Sequence, residues 1–338
     1  MIMNIEVKPL EMVRVAITPF CDLHCDHCYV SNITHHQCAE MEQEQLTLEQ
    51  ITSFLDDMMK NQNLNQIAIS GGECLTAKAW PRTKVLLKYA LDHNLRVQLE
   101  TSGSDIIKVK DIYEVAGDKF GNILFHVSLD HVDANWVNTF RGKDNAFDRA
   151  VAFLKDVIKF GGFSEIRYTI TNENFLITNE CYKFASELGI SRFIAKVLFP
   201  TGGVYDHEYL NLSKTLVGQV QRRLIELSMN NKTELLLPSP VFCATDDIPE
   251  GANFKITECL CGRIGIYMSY NGDILPCPYL IGSVYFDKLK VGNIKDPDFD
   301  FNQYWNSKNS FVEYRTIGEH ECTTYKIMDK NNNIKRFF

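Results

Sequence analysis

The chain has 338 residues, 45% hydrophobic and 23% charged, and its 35 basic and 43 acidic side chains leave a formal charge of −8. That balance excludes disordered and collagen-like classes, and without an extended Lys/Arg run no nucleic-acid partner is expected. No apolar run reaches the roughly 18 residues of a membrane span, and the first residues lack a signal peptide's basic and apolar regions, so a cytoplasmic protein with no membrane partner is expected.

Short runs rich in Val, Ile, Leu and Phe recur along the first two thirds, at 13–20, 66–71, 96–101, 123–130, 165–171 and 192–199. Near-continuous apolar runs suit strands buried on both faces of a parallel sheet. Helical spacing fills the gaps. Between Thr47 and Lys60, the residues Leu48, Ile51, Leu55, Met58 and Met59 share one side. Thr47 reads as an N-cap, and Gln50, three residues on, completes a capping box. Residues 145–159 and 179–188 repeat the pattern, the latter stopped by Gly189. Six βα units imply parallel strands with right-handed crossovers, too few for a closed eight-stranded barrel. The expected fold is α/β, an open, partial (β/α)6 TIM-like barrel over 1–211.

After Pro200-Thr201-Gly202-Gly203 the alternation ends. A helix at 212–229 and a linker carrying Pro238, Pro240, Asp246, Asp247, Pro249 and Gly251 make up the segment 212–258. From Cys259 to the end, the composition turns to Cys, Gly, Tyr and Pro in short segments. A unit this poor in core residues needs a staple, and metal–thiolate bonds can provide one. The tail 331–336 is expected to fray.

The chain holds 11 cysteines. In a long chain without a secretion signal, clustered cysteines favour metal or redox chemistry over disulfides. Cys21, Cys25 and Cys28 stand as CxxxCxxC directly after the first strand. Three thiolates on one loop can hold three irons of a [4Fe–4S] cubane and leave the fourth open. Zinc or buried free thiols are the alternatives. Zinc wants four protein ligands, and His24 and His27, interleaved within the triad, are awkward members of a closed tetrahedron.

Ser70-Gly71-Gly72-Glu73 closes the second strand, in the place where the radical S-adenosylmethionine (SAM) superfamily carries its GGE motif. With the triad, this makes the chain resemble that superfamily. Val127-Ser128-Leu129-Asp130, Phe140-Arg141-Gly142 and Phe199-Pro200-Thr201-Gly202 extend the resemblance over residues 13–315. Cys74 departs from it, since the family usually has Pro there; it reads as a small buried filler. The resemblance implies that SAM chelates the open iron, and that one electron, from a donor of flavodoxin or ferredoxin type, cleaves it to a 5′-deoxyadenosyl radical that abstracts a substrate hydrogen. It assigns Glu73 to the SAM ammonium, with Gly71 and Gly72 letting the ligand approach the backbone. Ser128 and Arg141 become contacts to ribose and carboxylate. Arg141 reads equally as an ordinary ion pair.

Cys261, Gly272 and Cys277 stand as Cx10Gx4C, with Asn271-Gly272-Asp273 between two apolar runs. That is a hairpin signal, and the hairpin would bring Cys261 and Cys277 to one end. Together with Cys322, the pattern resembles the SPASM and shorter twitch extensions of radical SAM enzymes. The resemblance implies one auxiliary [4Fe–4S] cluster on Cys261, Cys277 and Cys322 in a domain spanning 259–338. The fourth ligand is Cys259, or the position is open; a zinc ribbon on the same cysteines is the alternative.

Cys181 reads as core, Cys38 as incidental. Cys243, on the linker, is a candidate hydrogen donor to a substrate radical, as in some radical SAM epimerases, or an inert buried thiol. Three functions follow. A radical SAM enzyme modifying a ribosomal peptide by epimerisation, cross-linking or oxidation comes first by a narrow margin. A radical SAM epimerase or dehydrogenase of a small molecule such as an aminosugar is the second, tilted towards because only 20 residues precede Cys21 where many peptide maturases carry a leader-binding domain. A non-catalytic Fe–S or zinc protein is a remote third.

Overall fold

A computed structural model describes residues 5–330 apart from 32–40, 42, 105, 246, 247 and 249, so Cys38, Asp246, Asp247, Pro249 and the tail lie outside the described residues. Each of the six apolar runs forms a strand: β1 Met12–Ala16, β2 Gln66–Ser70, β3 Arg96–Thr101, β4 Ile123–Ser128, β5 Phe163–Ile170 and β6 Arg192–Val197. They pair in parallel in sequence order, as βα units require. The crossovers are the helices α1 Leu48–Asn61, α2 Trp80–Asp92, α3 Val109–Ala116, α4 Ala134–Phe140, α5 Ala146–Lys159 and α6 Thr178–Leu188. In α1 the expected capping box is present in both directions, and Ile51, Leu55 and Met58 are its buried stripe. Gly189 ends α6 in the left-handed conformation, at φ 79°.

The sheet runs further than the six units. The helix expected at 212–229 is α7, Lys214–Ser228, capped by Ser213. The segment read as linker after it also supplies β7 Glu234–Pro238 and β8 Phe254–Thr257, which continue the parallel sheet beyond β6. Leu235 and Leu237 of β7 are fully buried, so this apolar pair belongs to the core and not to a tether. At the opposite edge, the expected hairpin is present as β9 Gly265–Met268 and antiparallel β10 Asp273–Leu275, followed by β11 Gly292–Asn293. β9 lies parallel to β1, so the cysteine-rich segment is built onto the barrel sheet. The order β11-β10-β9-β1-β2-β3-β4-β5-β6-β7-β8 does not close, which leaves an open, partial barrel. Among the later helices are α8 Phe301–Asn306 and α9 Thr323–Lys330. Among the described residues no helix is long and apolar enough to cross a membrane.

Successive strand residues face opposite sides. Val13, Val15, Ile67, Ile69, Val97, Leu99, Phe125 and Phe193 belong to the buried core that includes the helix stripes. The alternate residues, Arg14, Gln98, His126, Glu165, Arg167, Arg192 and Lys196, line a cavity of about 630 Å³, the barrel lumen.

Candidate active site between two cysteine clusters

Three loops clamp the segment that carries the triad. From the end of β2, Gly72 N donates to Thr18 O and Glu73 N to Phe20 O, each at 2.8 Å. From beyond β4, Arg141 O accepts from His24 N at 2.9 Å and Phe140 O from Asp26 N at 3.2 Å. From beyond β6, Gly203 N donates to Cys28 O at 2.9 Å. Asp22, paired with Lys143 and Arg149, adds a buried ionic tie. The motifs that looked like separate ligand contacts thus share one task, fixing the loop that bears the thiols.

This gives the two glycines a different reason from the one expected. A Cβ on Gly72 would lie 2.1 Å from Phe20 O, and one on Gly71 would lie 2.3 Å from Thr18 O. It is the approach of the triad loop's own backbone that excludes a side chain at both positions. Gly71, at φ 133°, adds a conformation that L-residues rarely adopt.

Cys21, Cys25, Cys28, Gly71, Gly72, Glu73, Ser128 and Arg141 all line one cavity at the C-terminal ends of the strands. This is where parallel βα folds place their chemistry. Burial raises all three thiol pKa values, and the neighbouring thiols add to the rise for Cys21. Cys25 is pushed up to about 12 by burial, against the opposing guanidinium of Arg141. Three buried thiolates side by side demand a cationic core to neutralise them, which a three-cysteine iron–sulfur cluster supplies. His27 stacks on Phe140 at 4.8 Å, and burial lowers its pKa to about 4. His24 is exposed. Neither histidine is drawn into the triad.

Glu73 is almost wholly buried and its carboxylate is fully engaged. Oε1 accepts from Leu75 N at 3.0 Å and from the Thr101 hydroxyl at 2.7 Å; Oε2 accepts from the Ser102 N–H and hydroxyl, both at 2.7 Å. Thr101 and Ser102, at the end of β3, were missed by sequence reasoning. The signal was Thr-Ser directly after a strand, a natural pair of donors. In Glu73→Gln an amide NH2 faces protein donors, leaving one acceptor short at a cost of about 1–3 kcal/mol. Weaker SAM binding in equilibrium titration is the expected result; unchanged affinity would make Glu73 purely a strut of the turn.

Arg141 is buried and pairs with Asp130, whose other carboxylate oxygen accepts from Thr169 N at 2.8 Å. Its Nη1 lies 4.0 Å from Cys25 Sγ, and its Nε has no hydrogen-bond partner. Arg141 is thus an ion pair between segments that also lines the cavity. Cys74 is fully buried with its thiol toward Glu100 O at 3.2 Å, a filler as expected. Cys181 likewise lies in the core.

The second cysteine group lies at the N-terminal end of β9. Cys259 contacts Cys261 and Cys322, and Cys261 also contacts Cys277. The hairpin therefore does bring Cys261 and Cys277 together, and Cys259 joins them. Four thiols in mutual contact fit one four-cysteine cluster. From Cys277 the chain crosses the open side of the barrel. Tyr279 stacks on Phe199 at 4.0 Å and meets Tyr29 edge-on at 5.4 Å, and Gly282 O accepts from Gly202 N at 3.2 Å beside the triad loop. This strap joins the two cysteine groups along one wall of the lumen.

Glu100, which lines the triad cavity, takes both Arg14, at 2.9 Å, and Arg167, at 3.0 Å, from the lumen wall. Burial opposes its ionisation, but the two guanidinium groups outweigh it and hold the carboxyl well below the usual range. Glu165, deeper, pairs with His126 and Arg192. Lys196 bonds to the Tyr279 hydroxyl and has no carboxylate within ion-pair reach among the described residues. Burial, with Arg167 and Arg14 nearby, depresses its pKa strongly. Arg167 lines both this cavity and the one holding the triad, so the two adjoin there.

Cys243 lines neither cavity. Its segment packs down α7, where Phe242 N donates to Gln221 Oε1 at 2.8 Å and a Cβ on Gly218 would meet Phe242 O at 2.9 Å. The glycine notch on α7 thus seats this part of the linker against the helix. Cys243→Ala is therefore expected to leave both 5′-deoxyadenosine formation and product yield unchanged. A variant that forms 5′-deoxyadenosine without product would restore the thiol as hydrogen donor.

Two family models match the chain: the radical SAM superfamily over residues 15–176, and an iron–sulfur cluster-binding domain, SPASM, over 259–327. The chain is a radical SAM enzyme with a SPASM domain. It takes a [4Fe–4S] cluster and SAM, with auxiliary iron–sulfur binding in the SPASM domain. It is 24% identical over 322 residues to the AdoMet-dependent heme synthase of Methanosarcina barkeri, covering 90% of this chain and 84% of that one. It is also 24% identical over 179 residues to the antilisterial bacteriocin subtilosin biosynthesis protein AlbA of Bacillus subtilis, covering 52% of this chain and 37% of that one. The fold matches the crystal structure of Streptococcus suis SuiB bound to precursor peptide SuiA, with a TM-score of 0.69 at 18% identity over 93% of this chain and 68% of that one.

Proposed function

We propose that this radical SAM enzyme abstracts a hydrogen atom from a small molecule held in the lumen, with a tetrapyrrole as the favoured class. The observation that carries the reading is the lumen itself. At about 630 Å³ it falls within the roughly 300–1,000 Å³ of small-molecule pockets, and it shares Arg167 with the cavity of the triad. The heme synthase relative, matched across both domains, supports the substrate class.

In this reading Cys21, Cys25 and Cys28 hold the cluster that binds SAM. Cys259, Cys261, Cys277 and Cys322 hold a single auxiliary cluster. Glu73 receives the SAM ammonium, held in place by Thr101 and Ser102, while Ser128 and Arg141 face ribose and carboxylate. When bound, cluster and SAM supply a 5′-deoxyadenosyl radical, which takes one hydrogen atom from a substrate C–H bond and leaves as 5′-deoxyadenosine. The chain's own part is to orient the two reactants and exclude water from the radical. An external one-electron donor of flavodoxin or ferredoxin type reduces the cluster.

A second reading, modification of a ribosomal peptide, is favoured by the AlbA relative and by the likeness to SuiB, although that likeness concerns the fold. Anaerobic assays of the reconstituted enzyme with SAM and dithionite separate the two. Coproporphyrin III is expected to raise 5′-deoxyadenosine formation above the substrate-free rate and to be altered in mass. Stimulation by short peptides alone would overturn the small-molecule reading.

A further inference from the structure

Eight charged or amide side chains point into the lumen from alternate strand positions, yet their charges do not balance evenly along it. At the deep end Glu165 pairs with His126 and Arg192, and Arg192 also bonds to Glu234 outside the lumen lining. Nearer the triad, Arg14, Arg167 and Lys196 surround Glu100 alone. Three basic side chains thus share one carboxylate, and the other acidic groups acting on Arg14 and Lys196 include the thiols of Cys261 and Cys277. Among the described residues Arg14 Nε has no hydrogen-bond partner, and the Lys196 amine bonds to the hydroxyl of Tyr279 and lies over its ring. A buried cation without an anion is costly, and the cost is recovered when a carboxylate arrives with geometry to pair with it.

Resting on the small-molecule reading above, we propose that Lys196, flanked by Arg14 and Arg167, is a recognition site for a substrate carboxylate in the upper lumen. Glu100 keeps the two guanidinium groups splayed toward the lumen wall, and Tyr279, carried on the strap from Cys277, holds the ammonium group between them. The position explains its use. Arg167 lines both cavities, so an anion held here lies at the junction of the lumen and the SAM cavity. A carboxylate anchored at this level presents the carbons next to it to the SAM cavity. The substrate class this selects is an apolar body bearing at least one carboxylate, and neutral analogues are rejected because they leave buried cations unpaired.

The test measures binding of coproporphyrin III and of its tetramethyl ester to the anaerobically reconstituted enzyme, by quenching of protein fluorescence. The acid is expected to bind at least about tenfold more tightly than the ester. Lys196→Met is expected to weaken acid binding by about ten- to a hundredfold while leaving ester binding alone, and Lys196→Arg to restore most of the loss. The iron content of each variant, measured alongside, reports its folding. If the acid binds but Lys196→Met binds it as tightly as the wild type, or if acid and ester bind equally, the recognition site is overturned and the small-molecule reading stands. If neither compound binds, both fall together.

Discussion

Replacing Cys21, Cys25 and Cys28 together by Ala is expected to abolish SAM cleavage and to remove about half of the iron, some four atoms of roughly eight per chain. The auxiliary share should persist. The four thiols of Cys259, Cys261, Cys277 and Cys322 belong to a different part of the sheet, at the N-terminal end of β9, and touch one another and not the triad. Iron and sulfide analysis together with 5′-deoxyadenosine quantification reads both effects. Loss of all iron in the triple variant would mean that the two sites assemble as one unit. Residual SAM cleavage would place the SAM-binding cluster elsewhere.

The second large effect is expected from the smallest change. Gly72→Ala puts a methyl group 2.1 Å from Phe20 O and 2.8 Å from Pro19 O, both backbone atoms that cannot rotate away. The end of β2 and the triad loop must then separate, losing the hydrogen bonds from Gly72 N to Thr18 O and Glu73 N to Phe20 O. Overpacking of this kind costs about 1–3 kcal/mol, and here the strain falls on the segment that positions Cys21. The variant should fold, keep auxiliary iron and lose both the SAM-binding cluster and SAM cleavage. A variant with wild-type iron and activity would show that the loop tolerates displacement and that the close approach has no bearing on cluster binding.

The elements most legible in the sequence were those in which local chemistry and tertiary packing agree. The Thr47/Gln50 capping box and the Gly189 stop reappear where their residues dictate, because each satisfies its backbone locally, and the Asn271-Gly272-Asp273 turn reappears with Asn293 and Ile294 bonded to its carbonyls. The triad and GGE were legible as motifs, but not the contact between them, since the clash that requires Gly71 and Gly72 comes from residues some fifty positions away. β7 and β8 were obscured by the prolines around them. A Pro at a strand end or on an edge costs no ladder bond, and Pro238 stands at the end of β7.

The lumen was the larger omission. The strands were read as continuously apolar, yet Arg14 in MVRVA, Gln98 and Glu100 in RVQLET, His126 in ILFHVS, and Glu165 and Arg167 in FSEIRYTI stand at period two. Charged residues on alternate positions of several successive parallel strands mark the inside of a barrel that stays hollow. The placement of Cys243 was hidden for the opposite reason. A linker position suggests proximity to both units, but the notch at Gly218 on α7 decides where the segment lies.

The most direct measurement for the account as a whole is metal and sulfide analysis of the anaerobically reconstituted wild-type chain. Two cysteine groups, one of three thiols and one of four, predict roughly eight irons and eight acid-labile sulfides per chain, with 5′-deoxyadenosine formed on reduction in the presence of SAM. Stoichiometric zinc without sulfide, and no cleavage of SAM, would contradict it.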